Sequence, residues 1–312
     1  MRVVICGGAG FIGLNLCDHL LRRDDIDQVV VVDDLSGGDP DAVDRSGARL
    51  VPMSILDTDL LSEVIADADA VINLVDVAAG PWAGGSPDDA ARVISDGTGS
   101  LLEAARRVGS PHIVAASTAA VYGANMARPA HEELELMPLT PHAAAFCSAE
   151  ARLQSASRLG EADVLTLRIF DTFGPHRPVG HPSGRAVHEC LQSALTGEEF
   201  VIRGDGHERL EVTSVDFVCA ALTHAVLHRI TSDEPVNLAH GRRVSAIELV
   251  GEVAHLTGER ISVRHSEAPA IRHHIASTRR FVRTIGALHV EPFGVDLANT
   301  WQWVRERDPL AV

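Results

Sequence analysis

The sequence predicts a doubly wound parallel α/β sheet followed by a smaller mixed lobe. Three observations predict it. Short, continuous apolar runs recur along the first half of the chain. Stretches with helical periodicity separate them. A glycine-rich turn joins the first run to the first helix. Continuous apolar strands alternating with helices imply a parallel sheet buried on both faces.

The elements follow in order. Arg2 to Cys6 reads as a strand, and Phe11 to Arg23 as a helix with Phe11, Leu14, Leu16, Leu20 and Leu21 apolar. Val29 to Val32 is a β-branched run ending at Asp33, and Val71 to Val75 is another strand. Val93 to Val108 reads as helix, Ile113 to Ala116 as strand, His142 to Leu159 as helix and Val164 to Ile169 as strand. Pro175 to Gly184 is rich in Pro, Gly and His and reads as a loop. Helices are expected at Val215 to His228 and Ser245 to Leu256. The expected division is a large domain over 1–170, with 212–239 returning to it, and a smaller lobe over 171–211 and 240–312.

Composition narrows the function. The 312 residues are 46% hydrophobic and 22% charged, which suits a globular chain. A formal net charge of −16 argues against a general nucleic-acid binder. No apolar run approaches the roughly 20 residues needed to span a bilayer, and an N-terminus that meets glycines after six residues does not read as a secretory signal. Cys6, Cys17, Cys147, Cys190 and Cys219 include no C-x-x-C pair. They are expected to be reduced and buried in a cytoplasmic protein.

Gly7, Gly10 and Gly13 form G-x-x-G-x-x-G between the first strand and first helix. Such glycines permit a tight turn, close approach of backbone to a pyrophosphate, and close helix–strand packing. The helix N-terminus adds free N–H groups and the positive end of a dipole. Asp33 ends the next strand twenty residues after Gly13, where a carboxylate can accept from a ribose diol. Asp33 and Asp34 would repel a 2′-phosphate, and no basic residue follows until Arg45. NAD is therefore favoured over NADP.

Further stretches add to this signal: GGAGFIG from Gly7, VVVVDDLSGG from Val29, GTGSLLEAARRVG from Gly97, and VAASTAAVYG from Val114. LRIFDTFGP from Leu167, GDGHERLEVTSVDFVCAAL from Gly204 and VNLAHG from Val236 complete the set. In this order the chain resembles the extended short-chain dehydrogenase/reductases, in particular the NAD-dependent epimerase/dehydratase branch that acts on nucleotide sugars. The resemblance implies a Rossmann domain. It places the cofactor on Gly7, Gly10, Phe11, Ile12 and Gly13 of the turn, and on Asp33, Asp34, Leu35 and Ser36 after the second strand. It also implies Ser54 and Ile55, then Leu74, Val75 and Asp76, and finally Ala116.

The same resemblance implies a Tyr that removes a hydroxyl proton, a Lys four residues later that lowers the Tyr pKa and holds a ribose, and a Ser or Thr on the reacting oxygen. Thr118 matches the last. The Tyr–Lys pair does not occur: the motif reads Pro141-His142-Ala143-Ala144-Ala145-Phe146. Tyr122, the one tyrosine, matches a structural position instead. Asp76 stands where the family has Ala, Ser54 where it has an adenine-contacting Asp, Ile94 where it has Asn, and Asp171 where Asn is usual. Most of these departures cluster where strand ends line the crevice of a doubly wound sheet.

Two readings follow. In the first, His142 is the acid/base, because an imidazole with a pKa of about 6.5 needs no Lys near neutrality. Asp171 or Asp76 would orient it, and Thr118 would hold the reacting oxygen. In the second, the dyad has decayed and the fold is a retired enzyme that binds a nucleotide or a partner; Phe146 suits that reading. Ala119 and Ala120, where the family's 4,6-dehydratases carry acids, argue against that chemistry and leave an epimerase, a ketone reductase or a non-redox isomerase or lyase. The resemblance sets Arg209 and Arg272 on a substrate diphosphate, a role guanidinium groups suit by paired hydrogen bonds, although Asp171 nearby would oppose one. His224 with His228, and His176, His181 and His188, lack partners at ligand spacing, so no metal site is expected. The helices at Val93 and His142 match those of the family's dimer interface, and Ala144, Ala145, Ala149, Ala151 and Ala156 would let partner helices approach, so a homodimer is expected.

Overall fold

The computed structural model describes residues 1–77, 87–125, 129–178, 181, 183–267 and 274–307. Seven parallel strands form the central sheet. In chain order the first half runs β1 (Arg2–Cys6), α1 (Phe11–Leu21), β2 (Gln28–Asp33), α2 (Pro40–Ser46), β3 (Arg49–Pro52), α3 (Thr58–Ile65), β4 (Ala70–Asn73) and α4 (Pro87–Arg107). Then come β5 (His112–Thr118), a short 3-10 turn (Ala119–Tyr122), α5 (Pro141–Arg158) and β6 (Val164–Ile169). Beyond them lie β7 (Thr172–Phe173), α6 (Arg185–Thr196), β8 (Phe200–Arg203), β9 (Arg209–Glu211), β10 (Thr213–Ser214), α7 (Val215–Leu227) and β11 (Val236–Leu238). The chain closes with β12 (Arg243–Ser245), α8 (Ala246–Thr257), β13 (Val263–Ser266), α9 (Arg279–Thr284) and α10 (Phe293–Arg307).

The sheet order is β11-β6-β5-β4-β1-β2-β3. The order reverses between β1 and β4, which makes that boundary the switch point where such sheets open a crevice at their carboxyl ends. Alternate residues of each inner strand feed opposite faces. Val3, Ile5, Val29, Val31 and Ile72 join the α1 and α7 side; Val4, Cys6, Val30, Val32 and Val71 join the α3, α4 and α5 side. Both faces are buried, so the strands carry unbroken apolar runs rather than alternation. Late chain returns to this sheet. β11 extends it beside β6, and Phe281 and Ile285 at α9 pack into the same core as α1. α9 lies within the stretch that sequence reasoning gave wholly to the lobe. The lobe has its own core around Phe173, Leu191, Phe200, Leu249, Phe293 and Leu297.

Helix starts follow local chemistry. Asp39, Asp57, Thr140 and Ser214 each cap a helix by accepting a backbone N–H. Ser245 and Glu248 complete a reciprocal capping box on α8. Sequence periodicity missed α4's first six residues, a polar run beginning at Pro87, and did not find β3, whose short edge strand is half exposed.

A buried ion pair locks α5 to the sheet. Arg168 on β6 donates to Glu150 on α5 through Nε at 2.9 Å and Nη2 at 2.7 Å. Ser117 on β5 donates to the same carboxylate at 2.6 Å. Arg168 also reaches Tyr122 Oη at 3.0 Å, and Tyr122 donates to Asn237 Oδ1 on β11 at 2.7 Å. Tyr122 is wholly buried. Removing one member of such a pair strands a charge in the core, at a cost of about 3–5 kcal/mol. Glu150→Ala is expected to lower the unfolding free energy by about that much in urea titration, whereas Glu150→Leu with Arg168→Met should lose clearly less.

Candidate functional site

A cleft of about 390 Å³ lies at the carboxyl ends of β1, β2, β4, β5 and β6. Its floor starts at the glycine turn. Gly7 has φ +76°, and a Cβ there would stand 2.8 Å from the Leu74 carbonyl and the Val75 nitrogen, so the turn lies directly on the end of β4. A Cβ on Gly13 would meet the Gly8 backbone at 2.5 Å. Gly10 caps α1 without any side-chain hydrogen bond, leaving the first-turn N–H groups to face the cleft. Gly7, Gly10, Phe11, Ile12 and Gly13 all line it.

At the β2 end, Asp33 accepts from Ala9 N–H at 3.0 Å and Leu35 N–H at 2.9 Å. Burial pushes its carboxyl above the usual value, against the pull of those two N–H groups. Asp33, Asp34 and Ser36 line the cleft, with Met53 and Ile55 beyond β3. Ser54 and Leu35 do not line it. Ser54 Oγ accepts from Leu56 N–H within its own turn, and Leu35 is held at φ 61° with its N–H on Asp33. Leu74, Val75, Asp76 and Ala116 complete the wall. An open helix N-terminus, glycines that admit no Cβ and a ribose-facing acid fit a dinucleotide without a 2′-phosphate.

At the other end Asp76, Thr118 and Phe146 line the cleft, and His142 stands beside them without being part of the lining. Thr140 caps α5, accepting from Ala143 N–H at 3.1 Å, and Pro141 occupies the first helical position. This sets His142 in the first turn, facing Asp76 past the end of β4. His142 Nε2 lies 2.6 Å from Asp76 Oδ1. Burial opposes the imidazolium, but the hydrogen bond and charge of Asp76 outweigh it and raise the His142 pKa above 6.5. Phe146, one turn on, is buried and packs its ring edge-on to His142 with centroids 5.1 Å apart. Thr118 lines the cleft; its Oγ1 accepts from Ala120 N–H at 3.2 Å, a bond that does not use the hydroxyl hydrogen.

Two more expected residues, Asp171 and Arg209, are placed elsewhere. Asp171 does not line the cleft. Phe170 and Thr172 on either side of it do, whereas Asp171 sits at the bend between β6 and β7 and its carboxylate accepts from Gly184 N–H at 2.6 Å. Asp76, not Asp171, is the carboxylate on His142. Arg209 pairs with Glu248 at 2.6 Å and donates to the Arg243 carbonyl, so it braces the lobe instead of entering the cleft. Arg272 lies outside the described residues. Sequence reasoning passed over Val93, Pro178 and Ser183 as cleft-lining residues, and weighed His181 only as a metal ligand. Their signal was weak: 175–184 reads as an irregular loop.

The 27 basic residues of the chain are all arginine; the sequence contains no lysine. No Lys or Arg lines the cleft among the described residues, whereas Asp33, Asp34 and Asp76 do. Among the described residues no three His, Cys, Asp or Glu side chains gather as a metal-binding group, and no helix is long and apolar enough to cross a membrane.

The model of the NAD dependent epimerase/dehydratase family matches residues 3–239. The low-salt glycan biosynthesis protein Agl12 of Haloferax volcanii is 30% identical over 263 residues, covering 83% of each chain. A UDP-glucose 4-epimerase of Mycolicibacterium smegmatis is 32% identical over 237 residues, 72% of this chain and 73% of that one. Among solved structures, the UDP-N-acetylglucosamine 4-epimerase of Methanobrevibacter ruminantium superposes with a TM-score of 0.87 at 25% identity, covering 98% of this chain and 99% of that chain.

Because the Gly13 Cβ would strike backbone, Gly13→Ala is expected to cost about 1–3 kcal/mol of stability and to weaken dinucleotide binding. A thermal melt with and without NAD checks both.

Proposed function

As this chain belongs to the NAD-dependent epimerase/dehydratase family, with NAD as cofactor, we propose that it is a nucleotide-sugar epimerase or a related sugar-modifying oxidoreductase or isomerase in which His142 replaces the tyrosine as acid/base. The observation that carries this reading is the 2.6 Å His142–Asp76 hydrogen bond at the mouth of a dinucleotide cleft. Both residues depart from the family pattern, and they meet. A carboxylate on one ring nitrogen fixes the tautomer and orientation and leaves the other nitrogen to exchange a proton.

NAD, which the Gly7–Gly13 turn and Asp33 would hold, would supply a reversible hydride acceptor for a sugar carbon. His142 takes the proton from the hydroxyl on that carbon and gives it back. Asp76 holds the ring and favours its charged form once the proton has arrived. The Thr118 hydroxyl donates to the reacting oxygen. Phe146 offers no polar contact to a ribose; it fixes the edge of the imidazole and keeps water from that side. The substrate class rests on relatives named as UDP-sugar enzymes. A homodimer through α4 and α5 is part of the same proposal. Ala144 and Ala151 face outward on α5, while Ala145, Ala149 and Ala156 are buried in their own subunit.

The competing reading, a fold retained for binding alone, draws on Phe146. The test is to incubate the protein with NAD and a UDP-hexose and follow the anomeric protons by NMR. His142→Ala is expected to lower turnover at least about 100-fold, the lower end for general acid–base groups, with little change in NAD affinity. Absence of turnover on every sugar nucleotide in the unmodified protein would favour the competing reading.

The pH dependence has a defined sign. The base is the neutral imidazole, so kcat/KM should rise with pH through a value above 6.5. Asp76→Asn should move that limb toward lower pH. In chemical denaturation, the stability that Asp76 contributes through His142 should be fully present below 6.5 and lost as pH rises through the raised folded value.

A further inference from the structure

The segment after β7 is fastened at several points. Asn15 on α1 donates to the Pro175 carbonyl at 2.9 Å. The buried Arg177 guanidinium donates to the carbonyls of Pro178, His181 and Ser183. Ser183 is bonded to the Thr172 N–H at 2.7 Å and to its carbonyl at 3.1 Å, and Asp171 holds Gly184. This scaffold sets His181 over the cleft. Its ring packs edge-on against Phe11, centroids 6.0 Å apart, and Phe11 is the first residue of α1. Asp76 lines the same cleft, and its charge and that of His142 both reach the ring.

The imidazole is prepared as a donor. Its Nδ1 accepts the Ser183 N–H at 3.2 Å, so the proton of the neutral ring sits on Nε2. Burial, and next the Arg177 charge, keep its pKa below 6.5, so the ring is neutral at pH 7. The cleft needs such a donor. A dinucleotide brings two phosphate charges into a lining whose formally charged side chains are Asp33, Asp34 and Asp76.

We propose that His181 holds the cofactor, its Nε2–H donating to an oxygen of the phosphate on the nicotinamide side of the dinucleotide. The proposal rests on dinucleotide binding in the cleft and not on His142 acting as a base. It assigns to this loop an anion contact that no lysine or arginine of the described lining supplies.

Calorimetric titration with NAD tests it, using His181→Phe, which keeps the ring against Phe11, and His181→Gln, which restores an N–H donor. AMP and UDP serve as companion probes. Loss of a hydrogen bond to a charged group predicts about 10- to 100-fold weaker NAD binding in His181→Phe. His181→Gln should recover most of it, and AMP, which lacks the pyrophosphate, should bind all three proteins alike. Unchanged NAD affinity in His181→Phe would overturn the proposal. So would an equal loss for AMP, which marks general damage to the cleft, or a loss for UDP alone, which assigns the contact to a substrate diphosphate. Failure of the unmodified protein to bind NAD would overturn the cofactor site itself, and turnover with normal NAD affinity in His181→Phe would leave the role of His142 standing.

Discussion

The Arg168–Glu150 pair is the constraint on which the rest of the molecule depends. It joins the middle of the sheet to α5 through two parallel hydrogen bonds, both partners being almost fully buried. The remaining polar atoms of the pair are met by Ser117 from β5 and Tyr122 beyond it, and Tyr122 passes the link to Asn237 on β11. Three strands and a helix are thereby held in one register around charges that could not be buried singly. α5 carries His142 and Phe146 on its first two turns. The position of the imidazole at the cleft therefore follows from an ion pair that lies deeper along the same helix.

Above that anchor, the reactive end we propose uses different chemistry. A phenol beside an ammonium group works by lowering an acid's pKa with a neighbouring charge. An imidazole beside a carboxylate works in the opposite direction, since Asp76 raises the His142 pKa. The whole chain lacks lysine, so the loss at position 146 belongs to a composition in which every cation is a guanidinium. Arginine cannot repeat lysine's part, because it is bulkier, planar and always charged. Phe146 fills the space with an apolar ring, and the cleft keeps its polarity through Asp76, Thr118 and His181 instead.

Much of the fold was legible because local and global signals agreed. β1 and β6 are largely apolar runs, and both occupy the span their residues suggest. The glycine turn was legible because Gly7 and Gly13 leave no room for a Cβ. The site was legible where a residue follows a strand end directly, as Asp33, Asp76 and Thr118 do. It was not legible where direction matters. Asp171 sits at such an end, yet the bend between β6 and β7 leaves its carboxylate on Gly184. Arg209 is at the position expected from the resemblance, but its partner Glu248 lies 39 residues away on a capping box, and spacing along the chain does not show it. His181 was hidden for a similar reason: its place over Phe11 depends on Arg177 and Ser183 folding an irregular segment, which has no period to read.

The edge strand β11 has a consequence for how the chain is made. It pairs with β6, but it lies some 70 residues later, after β7 to β10 and α6 have been laid down. As the polypeptide leaves the ribosome, the nucleotide-binding half emerges with β6 as an open parallel edge. That edge stays bare until the segment around Val236 follows. The two halves are thus spliced in the order of synthesis, and the first cannot be released as a finished domain ahead of the second.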